Sequence, residues 1–423
     1  MTIFVPPKSR FRLYGSPSNY VSIARDVALG RATSGTAVED LEHALASYLG
    51  VAHAVCMPRA RIGIYLAVRS LIKPGQTVVL SPYTIYDVVN MVICAGGRPV
   101  FADIDRETCN ISPRAVKTLV DGDTGAVMVT HLHGCACEIE EIAAFCRSAG
   151  VPLLEDASQA FGARVGARRL GAFGRAGIFS FGMAKNVNSF YGGAVVTDDR
   201  ELAQQLRSTM RSWPLQDVPL LATRIAFCAL GDVLTSRVVF DSFTFWLYRY
   251  GHLHGIDAIT DRWRGEDEPV LRQALPEREL RRMTPMQARL VLRSLPRVDE
   301  QTRIRVGYAR MYQEGLRDIP GVLLPPLRDD GSHIYLVYPI QVPDREALLR
   351  FLIRNGRDLT LQHIGNTADY ACFAEHHRDC PDARLTAQQV LLLPTYPGYG
   401  ASEVDRNIDL IRRYYLASHP RLQ

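Results

Sequence analysis

Three side chains in this chain of 423 residues have types and spacing that could do chemistry together. Lys185 closes the run Ser180-Phe181-Gly182-Met183-Ala184-Lys185, and Asp156 stands upstream in Glu155-Asp156-Ala157-Ser158-Gln159. An amine can bond covalently to an aldehyde, a lone carboxylate can hold a protonated ring nitrogen, and a hydroxyl can hold a phosphate. The combination suits a phosphorylated heterocyclic aldehyde, provided that the three groups end neighbouring strands.

The surrounding pattern supplies such strands. Residues 36–49 read as an amphipathic helix ended by Gly50, and 61–72 as a second helix stopped by Pro74-Gly75. Short apolar runs follow at 77–80, 98–102, 126–130, 152–154, 177–181 and 194–197, with helical stretches at 86–95 and 138–149 between some of them. Strands apolar on both faces and alternating with helices predict an α/β fold with a mostly parallel sheet covered on both sides. Ligands gather at the carboxyl ends of such strands. Asp156, His131 and the loop from Ser180 to Lys185 each fall just after a run.

In that setting the aldehyde is pyridoxal 5′-phosphate. Lys185 is the Schiff-base amine, and Asp156 is a strand-end carboxylate whose burial a protonated ring nitrogen would offset, turning the ring into an electron sink. Gln159 lies within reach of the ring oxygen, and Ser180 within reach of the phosphate. Phosphates also bind at helix starts. Arg59, Ala60 and Arg61 open the second helix and bring amides and two guanidinium groups.

Net charge of +5 without a Lys/Arg run suits a small anionic substrate and argues against nucleic acid. Nine scattered cysteines predict reduced thiols in a cytoplasmic protein. Cys135-Ala136-Cys137 near His131 and His133 does not match a zinc knuckle, so no metal is expected. The amino terminus lacks a signal-peptide core, and no apolar stretch is long enough to predict a spanning helix.

The chain is expected to divide into a large cofactor-binding domain, 1–290, and a smaller α+β domain, 291–423. The latter carries strand-like runs at 334–342 and 391–394 and helices near 345–355 and 402–416. Residues 284–316 read as the helical crossing between them. Residues 213–262 are crowded with Phe, Trp and Tyr, and predict helices covering a dimer interface or the site. The same stretch could touch a membrane or a lipid-linked substrate.

With these residues in place, the chain resembles the DegT-type pyridoxal-phosphate-dependent sugar aminotransferases, from about residue 34 to 416. Glu155-Asp156-Ala157-Ser158-Gln159-Ala160-Phe161-Gly162 is similar to the family's EDAAQAFG, and Phe179-Ser180-Phe181 with Lys185-Asn186 to its FSF and KN. Gly192-Gly193-Ala194-Val195-Val196-Thr197 is similar to GGAVVT, and His131-Leu132-His133-Gly134 to its histidine turn. The resemblance implies a type I aminotransferase fold and a homodimer with sites at the interface. It assigns Lys185 the covalent link and the proton transfers, Asp156 the ring nitrogen, Gln159 the ring oxygen and Ser180 the phosphate. An amino acid, glutamate, would be the donor and a nucleotide-linked keto-sugar the acceptor. Arg59, His131, Asn186 and Tyr191 are candidate substrate contacts.

Four positions depart from the family pattern. Arg61 stands where the phosphate turn has threonine, and Ile85 where an aromatic covers the ring. Tyr191 belongs to an altered loop, and Leu280 falls near the asparagine donated across the dimer. These departures motivate two competing readings: a dehydratase or an enzyme of a non-nucleotide or lipid-linked ketone, and a non-catalytic regulator that keeps the fold. Lysine at 185 disfavours the family's dehydratase branch, which carries histidine there.

Overall fold

The structure, a computed structural model, describes residues 7–10, 17–256, 268–361 and 364–418. Seven strands form its main sheet: β1 (His53–Met57), β2 (Thr77–Leu80), β3 (Arg98–Phe101), β4 (Thr124–Thr130), β5 (Leu153–Asp156), β6 (Ala176–Ser180) and β7 (Gly193–Thr197). Their order is β1-β7-β6-β5-β4-β2-β3. Only β7 runs against its neighbours; the other pairings are parallel. The expected α/β class and mostly parallel sheet are therefore present.

Side chains alternate across the strands, and each face has its own core. Val55, Leu80, Ile178 and Val195 pack on one side with the helices Ala60–Leu71 and Tyr86–Cys94. Ala54, Val79, Phe179 and Val196 pack on the other with Ala37–Leu49 and Ile139–Ala149. Each fully buried Leu, Val or Phe contributes about 1.5–3 kcal/mol. Gly50 ends the helix Ala37–Leu49 at φ 70, a left-handed turn that only glycine takes without a steric cost.

A second sheet, with strands β8 (Tyr338–Gln341), β9 (Thr360–Leu361) and β10 (Val390–Leu393), has the order β8-β10-β9 and is wholly antiparallel. It packs with the helices Val298–Leu316, Arg345–Arg354 and Ala401–Ser418 in a third core. The strand expected over 334–342 is shorter, because Tyr335 turns left-handed at φ 47. The amides of Ile334 and Leu336 instead bond to the Gly134 and His133 carbonyls, at 2.9 Å each. The crossing expected over 284–316 is broken where Pro296 lacks a donor, into Pro285–Ser294, a 3-10 turn Leu295–Arg297 and Val298–Leu316.

The aromatic stretch forms the helix Val218–Leu234, a short break, and a second helix Arg237–His254 with a π turn at Phe240–Thr244. Its residues 257–262 lie outside the described ones. Leu221 and Cys228 point inward, packing with Ile23, Phe190, Met286 and Leu290. Phe227, Leu230, Val238, Phe243 and Trp246 face outward. No single described helix is long and apolar enough to cross a membrane. The bent pair Val218–Leu234 and Arg237–His254 meets that length and composition together.

Candidate active site

Strand registry collects the candidate residues. Asp156, the last residue of β5, sits opposite Thr130 of β4 and Ile178 of β6, and Ser180 ends β6 opposite Gly193 of β7. A Cβ on Gly193 would lie 2.7 Å from the Ala60 backbone nitrogen. Glycine therefore lets the first turn of the helix Ala60–Leu71 close onto the strand pair that carries Ser180. Ser180, Ala60 and Arg61 thus share one corner, where the helix start offers amides and a positive dipole end.

Lys185 follows Ala184, which adopts φ 62. A non-glycine residue there costs about 1–2 kcal/mol, so the loop holds a strained turn next to the amine. Among the described residues the amine makes no hydrogen bond or ion pair. Burial lowers its pKa below the usual 10.5, and the Asp156 charge opposes that shift. A lysine so placed loses its proton more readily than one in water.

The partners are oriented. Asp156 is 5% exposed, and its Oδ1 accepts the Ser158 amide at 3.0 Å. Gln159 Oε1 accepts the His133 amide at 2.9 Å, which leaves its NH2 group to donate elsewhere. Ser180 Oγ accepts the Gly182 amide at 3.3 Å, and its own hydrogen remains available. A half-buried amine, a buried carboxylate with one modest hydrogen bond, an amide donor and a hydroxyl next to a helix start fit pyridoxal phosphate.

Other candidates have structural partners. His131 is fully buried. Its Nδ1 accepts the Cys137 amide at 3.3 Å and its Nε2 lies 3.1 Å from Glu155 Oε2, so it braces the floor and does not reach a substrate surface. Asn186 donates to the Phe161 carbonyl at 2.8 Å. Ile85 is half-buried and packs on the first core from the start of the helix Tyr86–Cys94. Leu280 ends the 3-10 turn Glu277–Glu279. Arg61 pairs with Asp87 at 2.5 Å. Arg59 and Tyr191 come together, the guanidinium 4.2 Å from the ring centroid.

Two residues escape sequence reasoning. Glu155, fully buried, accepts the amides of Gly171, Phe173 and Gly174 at 2.6–2.8 Å besides facing His131. Those glycines lie far along the chain, and no local signal marks them. Arg224, in the helix Val218–Leu234, lies 4.8 Å from the Tyr191 ring centroid. All nine cysteines are free, and among the described residues no group of His, Cys, Asp and Glu could hold a metal.

The model of the DegT/DnrJ/EryC1/StrS aminotransferase family matches residues 22–217 and 252–412. A curated relative, the spore coat polysaccharide biosynthesis protein SpsC of Bacillus subtilis, is 29% identical over 398 residues, with 90% of each chain covered. Helicobacter pylori PseC, an aminotransferase involved in the biosynthesis of pseudoaminic acid, is similar in structure. Its TM-score is 0.74 at 20% identity, covering 98% of this chain and 99% of that one. DesI, solved in the presence of its TDP-sugar product, gives a TM-score of 0.73 at 24% identity, covering 99% and 96%.

Proposed function

This chain belongs to the DegT/DnrJ/EryC1/StrS aminotransferase family, and on that premise we propose that it moves an amino group from an amino acid to a keto-sugar with the help of pyridoxal phosphate. Glutamate is the donor and a nucleotide-linked sugar the acceptor in this reading. The observation that carries it is the half-buried Lys185 amine, free of hydrogen bonds among the described residues and acted on by Asp156. A TDP-sugar product accompanies the structurally similar DesI, which supports a nucleotide-linked acceptor.

When bound, pyridoxal phosphate supplies an aldehyde that condenses with amines and a ring that takes up the electron pair left by deprotonation. Lys185 would hold it, Asp156 would face its ring nitrogen, and Gln159 would donate to its ring oxygen. Ser180 and the amides of Ala60 and Arg61 would hold its phosphate, while Ile85 lends apolar contact. Once a substrate amine has displaced it from the aldehyde carbon, the freed Lys185 Nζ would take the proton from the substrate carbon that bears the nitrogen and would return it to the carbon on the other side of that nitrogen. Asp156, facing the ring nitrogen, would favour positive charge there. Two copies of the chain would form the working dimer.

Lys185→Ala tests the reading. The substitution should abolish both the absorbance of the covalent lysine–cofactor link and amino transfer from glutamate to a keto-sugar panel. An unchanged spectrum and rate would overturn it.

The apolar outer face of the helices after Val218 favours a second reading, in which the ketone is lipid-linked. Turnover of a lipid-linked keto-sugar in preference to its nucleotide-linked counterpart would select it.

A further inference from the structure

The Tyr191 ring gathers two guanidinium groups that make no ion pair among the described residues. Arg59 and Arg224 lie 4.2 and 4.8 Å from its centroid. Arg61, nearby, is paired with Asp87. No such partner exists for Arg59 or Arg224 among the described residues, and Arg224 Nε is buried without a hydrogen-bond partner. Burial and the Arg61 and Arg224 charges lower the Arg59 pKa, while Tyr191 and Glu279 raise it.

The ring that the two guanidiniums share is fixed in place. The Tyr191 carbonyl accepts the Ser189 hydroxyl at 2.5 Å and the Gln287 side-chain amide at 3.0 Å. Arg59 bridges to Gly192 in the backbone, so it is anchored beside the start of β7 and the Ser180 corner. The helix of Arg224 is anchored by Leu221 and Cys228 in the core that also holds Phe190. Stacking on an aromatic face holds a guanidinium without using its N–H donors, which remain available for a ligand. Two such forks, close together and lacking a carboxylate, are costly unless a multiply charged anion joins them.

We propose that Arg59 and Arg224, stacked on Tyr191, form a phosphoryl-binding subsite beside the Lys185 pocket. Arg224 lies between the two stretches that match the family model, so this half of the subsite belongs to the chain's own insertion. The subsite rests on the proposed function, because its ligand is a phosphoryl group of that reaction: the diphosphate of the acceptor or the phosphate of the cofactor. The position of Arg224, on a separate helix beyond Tyr191, favours the acceptor diphosphate.

The experiment compares wild type with Arg224→Gln and Arg224→Lys. Inorganic pyrophosphate and UDP are titrated calorimetrically into the cofactor-loaded protein, and pyridoxal phosphate and pyridoxal spectroscopically into the cofactor-free protein. For a substrate subsite, Arg224→Gln weakens pyrophosphate and UDP about tenfold or more, leaves pyridoxal phosphate unchanged, and is only partly rescued by lysine. For a cofactor subsite, pyridoxal phosphate weakens and pyridoxal does not. Unaltered binding of all four probes would overturn the proposal while leaving the cofactor's absorbance, and so the proposed function, intact. Wild-type pyrophosphate binding gives a further check: where it occurs it must weaken as salt rises, and salt-independent binding, or absent binding together with unaltered pyridoxal phosphate binding by Arg224→Gln, would also overturn the proposal.

Discussion

Asp156 raises the pKa of Lys185, yet burial outweighs it and the amine sits below the ordinary lysine range. Removing Asp156 should therefore lower the Lys185 pKa further. In Asp156→Asn the pH onset of cofactor capture should move to more acid values, while turnover falls about 100-fold or more for want of the ring-nitrogen charge. Stopped-flow capture across pH and steady-state rates check both parts. An onset that moves to more alkaline pH would contradict the pairing.

The same amine predicts a stability profile for the cofactor-free protein. In the unfolded chain a lysine stays protonated up to about its ordinary pKa of 10.5. In the fold it loses the proton earlier. Between the two, the unfolded chain binds more protons, so folding stability rises with pH through that window. Lys185→Met should thus be more stable than wild type near neutral pH, with the advantage shrinking toward pH 10.5. Denaturant midpoints at a series of pH values read this directly, and a constant difference would contradict it.

Glu155 is the buried anchor beneath the site. Glu155→Ala leaves three amides and the His131 ring without their acceptor, and should cost about 3–5 kcal/mol. Urea unfolding measures the loss. A change below about 1 kcal/mol would mean that the loop Gly171–Gly174 finds other partners.

The helix Val218–Leu234 should respond differently on its two faces. Leu221 is 1% exposed and Leu230 57% exposed. Leu221→Ala should cost about 2–5 kcal/mol by leaving a cavity beside Phe190. Leu230→Ala should change stability by less than about 0.5 kcal/mol. Equal losses would show that the outer face is covered in solution.

Much of this architecture is legible in the sequence, because the main sheet is built from local signals. Apolar runs bounded by helical stretches predict β2 to β7 to within about two residues. Gly50 and the Pro74-Gly75 pair end their helices as their backbone preferences require. β1 is missed, since its short run His53–Met57 has no helix before it distinct from 36–49. The strand expected over 334–342 is overcalled, since only the fold reveals that its first residues bond to the His133–Gly134 turn. In the site, Asp156, Ser180 and Lys185 announce themselves by following strands. The bracing roles of His131 and Asn186 do not, because their partners Glu155, Cys137 and Phe161 become neighbours only after the sheet assembles. Arg224 is equally silent, because a single arginine in an apolar helix carries no spacing signal.

The central claim is that Lys185 holds the cofactor. The most direct test is borohydride reduction of the pyridoxal-phosphate-loaded protein, followed by peptide mass mapping. The account predicts the reduced cofactor's mass on the peptide containing Lys185 and nowhere else. A label on another lysine, or none on a protein that folds and binds pyridoxal phosphate, would contradict it.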